Sequence, residues 1–154
     1  MEGATELIMI DFHTFENVHL EDVAEYGRAK KGHVYPAGAS TLQISATRGQ
    51  IGYLNEPGKV ETKHVVIMPS AGINPKYFNV VLHKNIEEFL HKYQADINIQ
   101  EHDVGMFPIQ LHNVETQKAI VDMYSFIERE ERQVQQDISN LMDLKKRALE
   151  DLLI

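Results

Sequence analysis

The chain has 154 residues, 43% of them hydrophobic and 25% charged, which suits one folded domain with an appended element and excludes a disordered chain. It has no cysteine, so disulfides, thiolate zinc sites and a cysteine nucleophile are excluded. The net charge is −8, yet residues 26–86 carry eight Lys or Arg against only Glu56 and Glu61, between two acidic ends; a basic middle of this kind suits one phosphate-facing surface.

In residues 1–25, seven Asp or Glu stand with no Lys or Arg. With no positive charge before the short apolar run Leu7–Ile10, the start does not read as a secretory signal, and a cytoplasmic protein is expected. No apolar run approaches the ~20 residues that cross a bilayer. Leu7–Ile10 could form a short strand and Leu20–Glu25 a turn of helix. From Gly32 to Pro69 the texture is β. His33–Pro36, Ser40–Ala46, Gln50–Leu54 and Val60–Met68 are rich in Val, Ile, Thr and Tyr. Pro36-Ala37-Gly38, Arg48-Gly49 and Asn55-Glu56-Pro57-Gly58 are the turns between them.

Asn74-Pro75 is an N-cap followed by proline at the first helical position. Phe78, Val81, Leu82, Ile86, Phe89 and Leu90 then recur at helical spacing up to about Tyr93. Residues 94–106 read as loop and turn, and Phe107–Leu111 as a short extended segment. Asn113 is a good N-cap, and Glu115 suits the first turn of a helix dipole. No Gly or Pro follows Val114. A 3,4 repeat runs through Ile120, Tyr124, Ile127, Glu131, Val134, Ile138, Leu141, Lys145, Ala148 and Leu152, the pattern of a coiled-coil seam with two charged interruptions. At ~1.5 Å per residue the helix would be about 58 Å long. It is expected to project and to pair with a partner helix.

Catalytic chemistry is not evident. The eight histidines (His13, His19, His33, His64, His83, His91, His102 and His112) form no His-Glu-x-x-His. No Gly-x-x-x-x-Gly-Lys phosphate loop and no Gly-x-Ser-x-Gly elbow occurs. Glu87-Glu88 and Glu130-Glu131 are helix neighbours that diverge by about 100°, hence solvated faces. No metal, cofactor or enzymatic activity is therefore expected. Arg48-Gly49-Gln50 joins two predicted strands, and its glycine would allow a partner to approach the backbone closely. Arg48 suits a guanine edge or a phosphate, and Gln50 suits adenine. Ser45 and Thr47 supply hydroxyls.

Three blocks resemble the specificity subunits of type I restriction–modification enzymes. The first is Tyr35-Pro36-Ala37-Gly38 followed by residues 42–54. It is similar to the turn, strand and small-Gly-x-Ile-Gly segment of that family's target recognition domain. The second is Val65–Pro69 with Ile73–Phe78, like a strand and a helix that opens on Asn-Pro and an aromatic. The third is Phe107-Pro108-Ile109, then Glu115–Val121, then the long helix through Leu144–Leu149. It is similar to the family's Ile-Pro segment, Gln-Lys-x-Ile-Val helix start and spacer helix. Together the blocks cover roughly residues 18–154.

The resemblance implies an α+β fold: a small mixed or antiparallel sheet domain with helices over 1–112, followed by a long coiled-coil-type helix over 113–154. It implies a non-catalytic half subunit, with one recognition domain and one spacer helix where full-length subunits carry two of each. Its partners would be double-stranded DNA, a methyltransferase (modification) subunit, the restriction subunit of the complex, and a second copy of the chain. Arg28, Lys30, Lys31, Lys59 and Lys63 would position the phosphate backbone, with Thr47 beside them. Arg48 and Gln50 would reach the bases. Ile120, Tyr124, Ile127, Val134, Ile138, Leu141, Ala148 and Leu152 would form the dimer seam. The alternative is an interaction protein that reads no DNA and uses the helix to bind, or compete for, the methyltransferase or a full-length specificity subunit.

Overall fold

The computed structural model describes residues 10–153; most of the expected strand Leu7–Ile10 lies outside them, and Ile10 is in no strand. Strand β1 (Glu16–His19) leads into a single helical turn, α1 (Leu20–Val23), and then β2 (Ala24–Arg28). The strands β3 (Val34–Tyr35), β4 (Ser40–Gln43), β5 (Ile51–Tyr53), β6 (Gly58–Lys59) and β7 (His64–Pro69) follow. Helix α2 (Pro75–Tyr93), a 3-10 helix (Glu101–Met106), β8 (Pro108–Leu111) and helix α3 (Val114–Leu152) complete the order.

All strand pairings are antiparallel. The main sheet has the order β2-β7-β4-β5, while β1 pairs with β8 and β3 with β6. Ser40 faces Ile67 and Leu42 faces Val65, so these four buried side chains share one face of the main sheet. Helix α2 is held over that face by Asn79, whose amide donates to Ser40 Oγ at 3.0 Å and to the Gly52 carbonyl at 3.1 Å. Phe78, Val81, Leu82 and Phe89 supply its buried stripe, and Phe89 stacks near Phe107 at 4.6 Å. On the opposite face Ala29, Ala39 and Val66 form a second apolar cluster, against which Tyr35, Leu54, Val60 and Met68 pack.

The signals at the helix starts hold. The Asn74 side chain accepts from the Lys76 and Tyr77 amides, with Pro75 as the first helical residue. Asn113 Oδ1 accepts from the Thr116 amide at 2.8 Å. Three expectations need correction. The turn of helix over Leu20–Glu25 ends at Val23, and Glu25 lies in β2 opposite Met68. The segment Asn55–Gly58, read as turn, contributes Gly58 to β6, paired with Tyr35. The loop 94–106 contains the 3-10 helix and an Ala95–Asn98 bridge.

The chain divides into two compact units after Ala119, so the first turns of α3 belong to the first unit. The reason is local. Thr116 and Gln117 are buried, and Gln117 accepts from the Asn74 amide at 2.9 Å while donating to the His112 carbonyl at 2.8 Å. That reach ties the first turns of α3 to the rest of the first unit. In the second unit α3 continues uninterrupted to Leu152.

Candidate nucleic-acid interface

Antiparallel pairing brings chain segments distant in sequence to one end of the main sheet. Arg28 closes β2 opposite Val65, Gln43 closes β4 opposite His64, and Ile51 opens β5 opposite Leu42. The segments that leave or enter these positions carry Arg28, Lys30 and Lys31, then Ser45 to Gln50, then Lys63. Lys59 ends β6 opposite Val34, and the loop from it to His64 holds Lys63. Lys30, Lys31, Arg48, Lys59 and Lys63 are exposed. Seven of the eight residues expected to meet DNA thus sit at one end of the sheet or in the loops that continue it, with Lys59 on the β3–β6 pair.

Their side chains divide into two groups. Arg28, Thr47 and Gln50 are used within the protein. Arg28 Nε donates to the Thr62 carbonyl at 2.7 Å and Nη2 to Ser45 Oγ at 3.4 Å, so the guanidinium fastens the loop before β7 to the segment after β4. Thr47 is only 5% exposed; its hydroxyl donates to Gln50 Oε1 at 3.1 Å and accepts from the Gly49 amide at 2.9 Å. Gln50 Oε1 also accepts from the Arg48 amide at 2.8 Å. The geometry assigns Thr47 and Gln50 to holding the turn. Residues 94–98 brace it from behind: Gln94 Nε2 donates to the Thr47 carbonyl at 2.9 Å and the Ala46 amide donates to Asn98 Oδ1 at 3.0 Å. The second group is Lys30, Lys31, Arg48, Lys59 and Lys63, on which the charge at this end rests. Lys63 approaches Glu61 at 3.5 Å, an exposed pair of little energetic weight.

Gly49 also has a use within the fold. The sequence suggests a glycine that admits an external partner. In the structure its φ is +85°, and a Cβ there would meet Leu90 Cδ1 at 2.7 Å and Ile86 Cγ1 at 2.8 Å. The partner that needs the room is α2. Sequence reasoning missed His33 and Tyr35, whose rings meet edge-on at 4.6 Å beside this end of the sheet, with the Tyr35 hydroxyl accepting from the Lys30 amide at 2.8 Å. The run His33–Pro36 was legible as β, but nothing in it signalled that the two rings would meet.

In the second unit, Ile127, Val134, Ile138, Leu141, Ala148 and Leu152 of the seam are exposed, from 46% at Ile138 to 80% at Leu152 among the larger side chains, while Ile120 and Tyr124 are half-buried. Phe126 and Leu144 extend the apolar face on one side, and Met142 and Leu149 on the other. At ~100° per residue this arc covers about half of the helix circumference, wider than a two-stranded seam needs.

Among the described residues no three His, Asp or Glu gather as a metal site, and no helix is long and apolar enough to cross a membrane. Comparison with protein-family models and with curated proteins finds no match. Solved structures do match in fold. A chain from work on complex assembly and conformational transition of the type I R-M system aligns with a TM-score of 0.67 at 13% identity, over 79% of this chain and 40% of that one. The HsdS subunit from Thermoanaerobacter tengcongensis aligns at 0.60 and 14% identity, over 79% and 39%. The type I restriction–modification S subunit from M. genitalium aligns at 0.62 and 13%, over 86% and 44%. The chain therefore has the α+β fold of these specificity subunits, with the long C-terminal helix, and spans about two-fifths of their length.

Proposed function

We propose that this chain is a non-catalytic DNA-recognition subunit of a type I restriction–modification complex, acting in the cytoplasm as a half subunit. The observation that carries the proposal is the fold shared with specificity subunits over 79% to 86% of the chain. The exposed cations gathered at one end of the sheet support the DNA role. Lys30, Lys31, Lys59 and Lys63 position the phosphate backbone, and Arg48 reaches base edges from the braced turn. Arg28, Thr47 and Gln50 hold that surface in shape. The seam of α3 pairs with a second copy in an antiparallel twofold dimer, which places one recognition domain at each end. The remaining width of the apolar arc receives a helix of the methyltransferase subunit, and the restriction subunit joins that complex.

The test is a titration of duplex DNA with and without the methyltransferase subunit, at 50 and 200 mM salt. With about four phosphate contacts per domain and a slope near −0.9 each, affinity falls roughly a hundredfold over this range. Lys30→Ala weakens binding to all sequences and flattens the slope. Arg48→Ala reduces discrimination between sequences by about 1–3 kcal/mol. No affinity at either salt, or no effect of either substitution, refutes DNA reading. The alternative then stands: an interaction protein that competes for the methyltransferase or for a full-length specificity subunit through α3. The net charge of −8 favours that alternative, because the acidic flanks oppose association with DNA.

A further inference from the structure

A groove of about 390 Å³ lies beside β2, on the face of the main sheet opposite α2. Its size falls within the range of small-molecule sites. Three features give it a chemical character. The floor is apolar: Val66 and Ala39 belong to the second core cluster, and Met68 packs against it. Gly27 stands opposite Val66, so the strand that flanks the floor offers no side chain where one would cover it. The wall is aromatic. His33 and Tyr35 both line the groove, and the Tyr35 ring is fixed by the hydrogen bond to its hydroxyl from the Lys30 amide.

The rim is charged in a particular order. Lys30 lines the groove, exposed Lys31 follows it, and Lys59 stands across the β3–β6 pair opposite Val34. Glu25, opposite Met68, is the acidic group on the lining. A flat apolar floor, an aromatic wall, cations at the mouth and one carboxylate acceptor match a nucleobase with its phosphate. The base covers Val66 and Met68 against the wall, its exocyclic amine donates to Glu25, and the phosphate meets Lys30.

We propose that this groove receives a single unpaired nucleotide of the DNA held at the neighbouring sheet end, a site separate from the base contacts made by Arg48. The inference rests on the DNA-reading function. It places the nucleotide in DNA because Lys30 belongs both to the groove and to the cationic end of the sheet.

The experiment compares two probes with the full-length chain: a paired duplex, and the same duplex carrying one unpaired 2-aminopurine. The unpaired probe already has its base out of the stack, so the unstacking cost does not mask the interaction. It is expected to bind about tenfold more tightly than the paired one, the scale of one base–aromatic stack, with its fluorescence quenched. Gly27→Val fills the floor. A Cβ there meets nothing nearer than Glu101 Oε1 at 4.0 Å, so the added side chain starts in open space. His33→Ala removes part of the wall from an exposed position. Each variant is expected to lose the tenfold preference and keep its affinity for the paired duplex.

Equal affinity of the unaltered chain for the two probes, or a preference that survives both substitutions, overturns the inference and leaves the DNA-reading function standing. Absence of binding to either probe removes both. Displacement of the unpaired probe by an equal concentration of free deoxyadenosine monophosphate overturns the assignment to DNA and gives the groove to free nucleotides.

Discussion

Single residues at the candidate interface show why a side chain's type and its use can part company. Arg48, Gly49 and Gln50 are legible as a turn, and by type Arg48 and Gln50 suit base edges. What cannot be read from the sequence is that Ile86 and Leu90, nearly forty residues later, press on Gly49, or that Gln50 turns back onto the Arg48 amide. Gly49→Ala therefore has a structural cost: a left-handed conformation that L residues resist by about 1–2 kcal/mol, and a clash with α2. Denaturant unfolding is expected to show a loss of about 2 kcal/mol or more. Tyr77 carries a second prediction. It is fully buried, and its hydroxyl lies among the Gln110 carbonyl, His112 Nδ1 and the His112 amide, which donates to it at 3.1 Å. Burial pushes its phenol above the ordinary value near 10. The native state thus holds this proton more tightly than the unfolded chain. The resulting stability is complete below about pH 10 and lost as pH rises through the folded-state value. Tyr77→Phe is expected to cost about 1–3 kcal/mol at neutral pH and to lack that alkaline contribution. Thermal melts across pH 8–11 compare the two.

At the scale of elements, legibility followed local chemistry. Helices α2 and α3 begin where Asn74 and Asn113 cap them, since a cap is a contact within a few residues of sequence. Strands β4, β5 and β7 were visible through their β-branched runs. Strand β2 was not: Ala-Glu-Tyr-Gly-Arg has little strand preference, and it is β because β7 pairs with it along its whole length. The 3,4 repeat of α3 was visible in the sequence, and its apolar side chains from Ile127 onward are exposed; the proposed dimer would cover them. Ile138 sits near its middle and is 46% exposed, so Ile138→Asp leaves the first unit intact while placing a charge in the seam. Sedimentation equilibrium at micromolar concentration is expected to show the dimer for the unaltered chain and a monomer for the variant, with unchanged melting of the first unit. An unaltered chain that remains monomeric with full helicity rules out the seam.

At the scale of the whole molecule, the sequence conveys an α+β domain followed by a long helix, and the fold has that order. The helix starts at Val114, and Gln117 in its first turns is a buried bridge whose two partners, Asn74 and His112, lie outside its own helix. A chain ending at Ala119 keeps that bridge and the whole first unit. It is expected to melt cooperatively as a monomer, and to bind duplex DNA more weakly than the full chain, since pairing of two domains supplies effective concentration. The pairing of β1 with β8, from Glu16 opposite Leu111 to His19 opposite Pro108, has a consequence of another kind. The chain's entry into this unit and its exit toward α3 lie side by side, closed by a backbone ladder. If the unit reads DNA as proposed, it can be exchanged as a cassette, provided that the bridge from Gln117 to Asn74 and His112 is carried with it. Recombination before Glu16 and after Gln117 would then replace the whole unit and keep its own bridge to the start of α3.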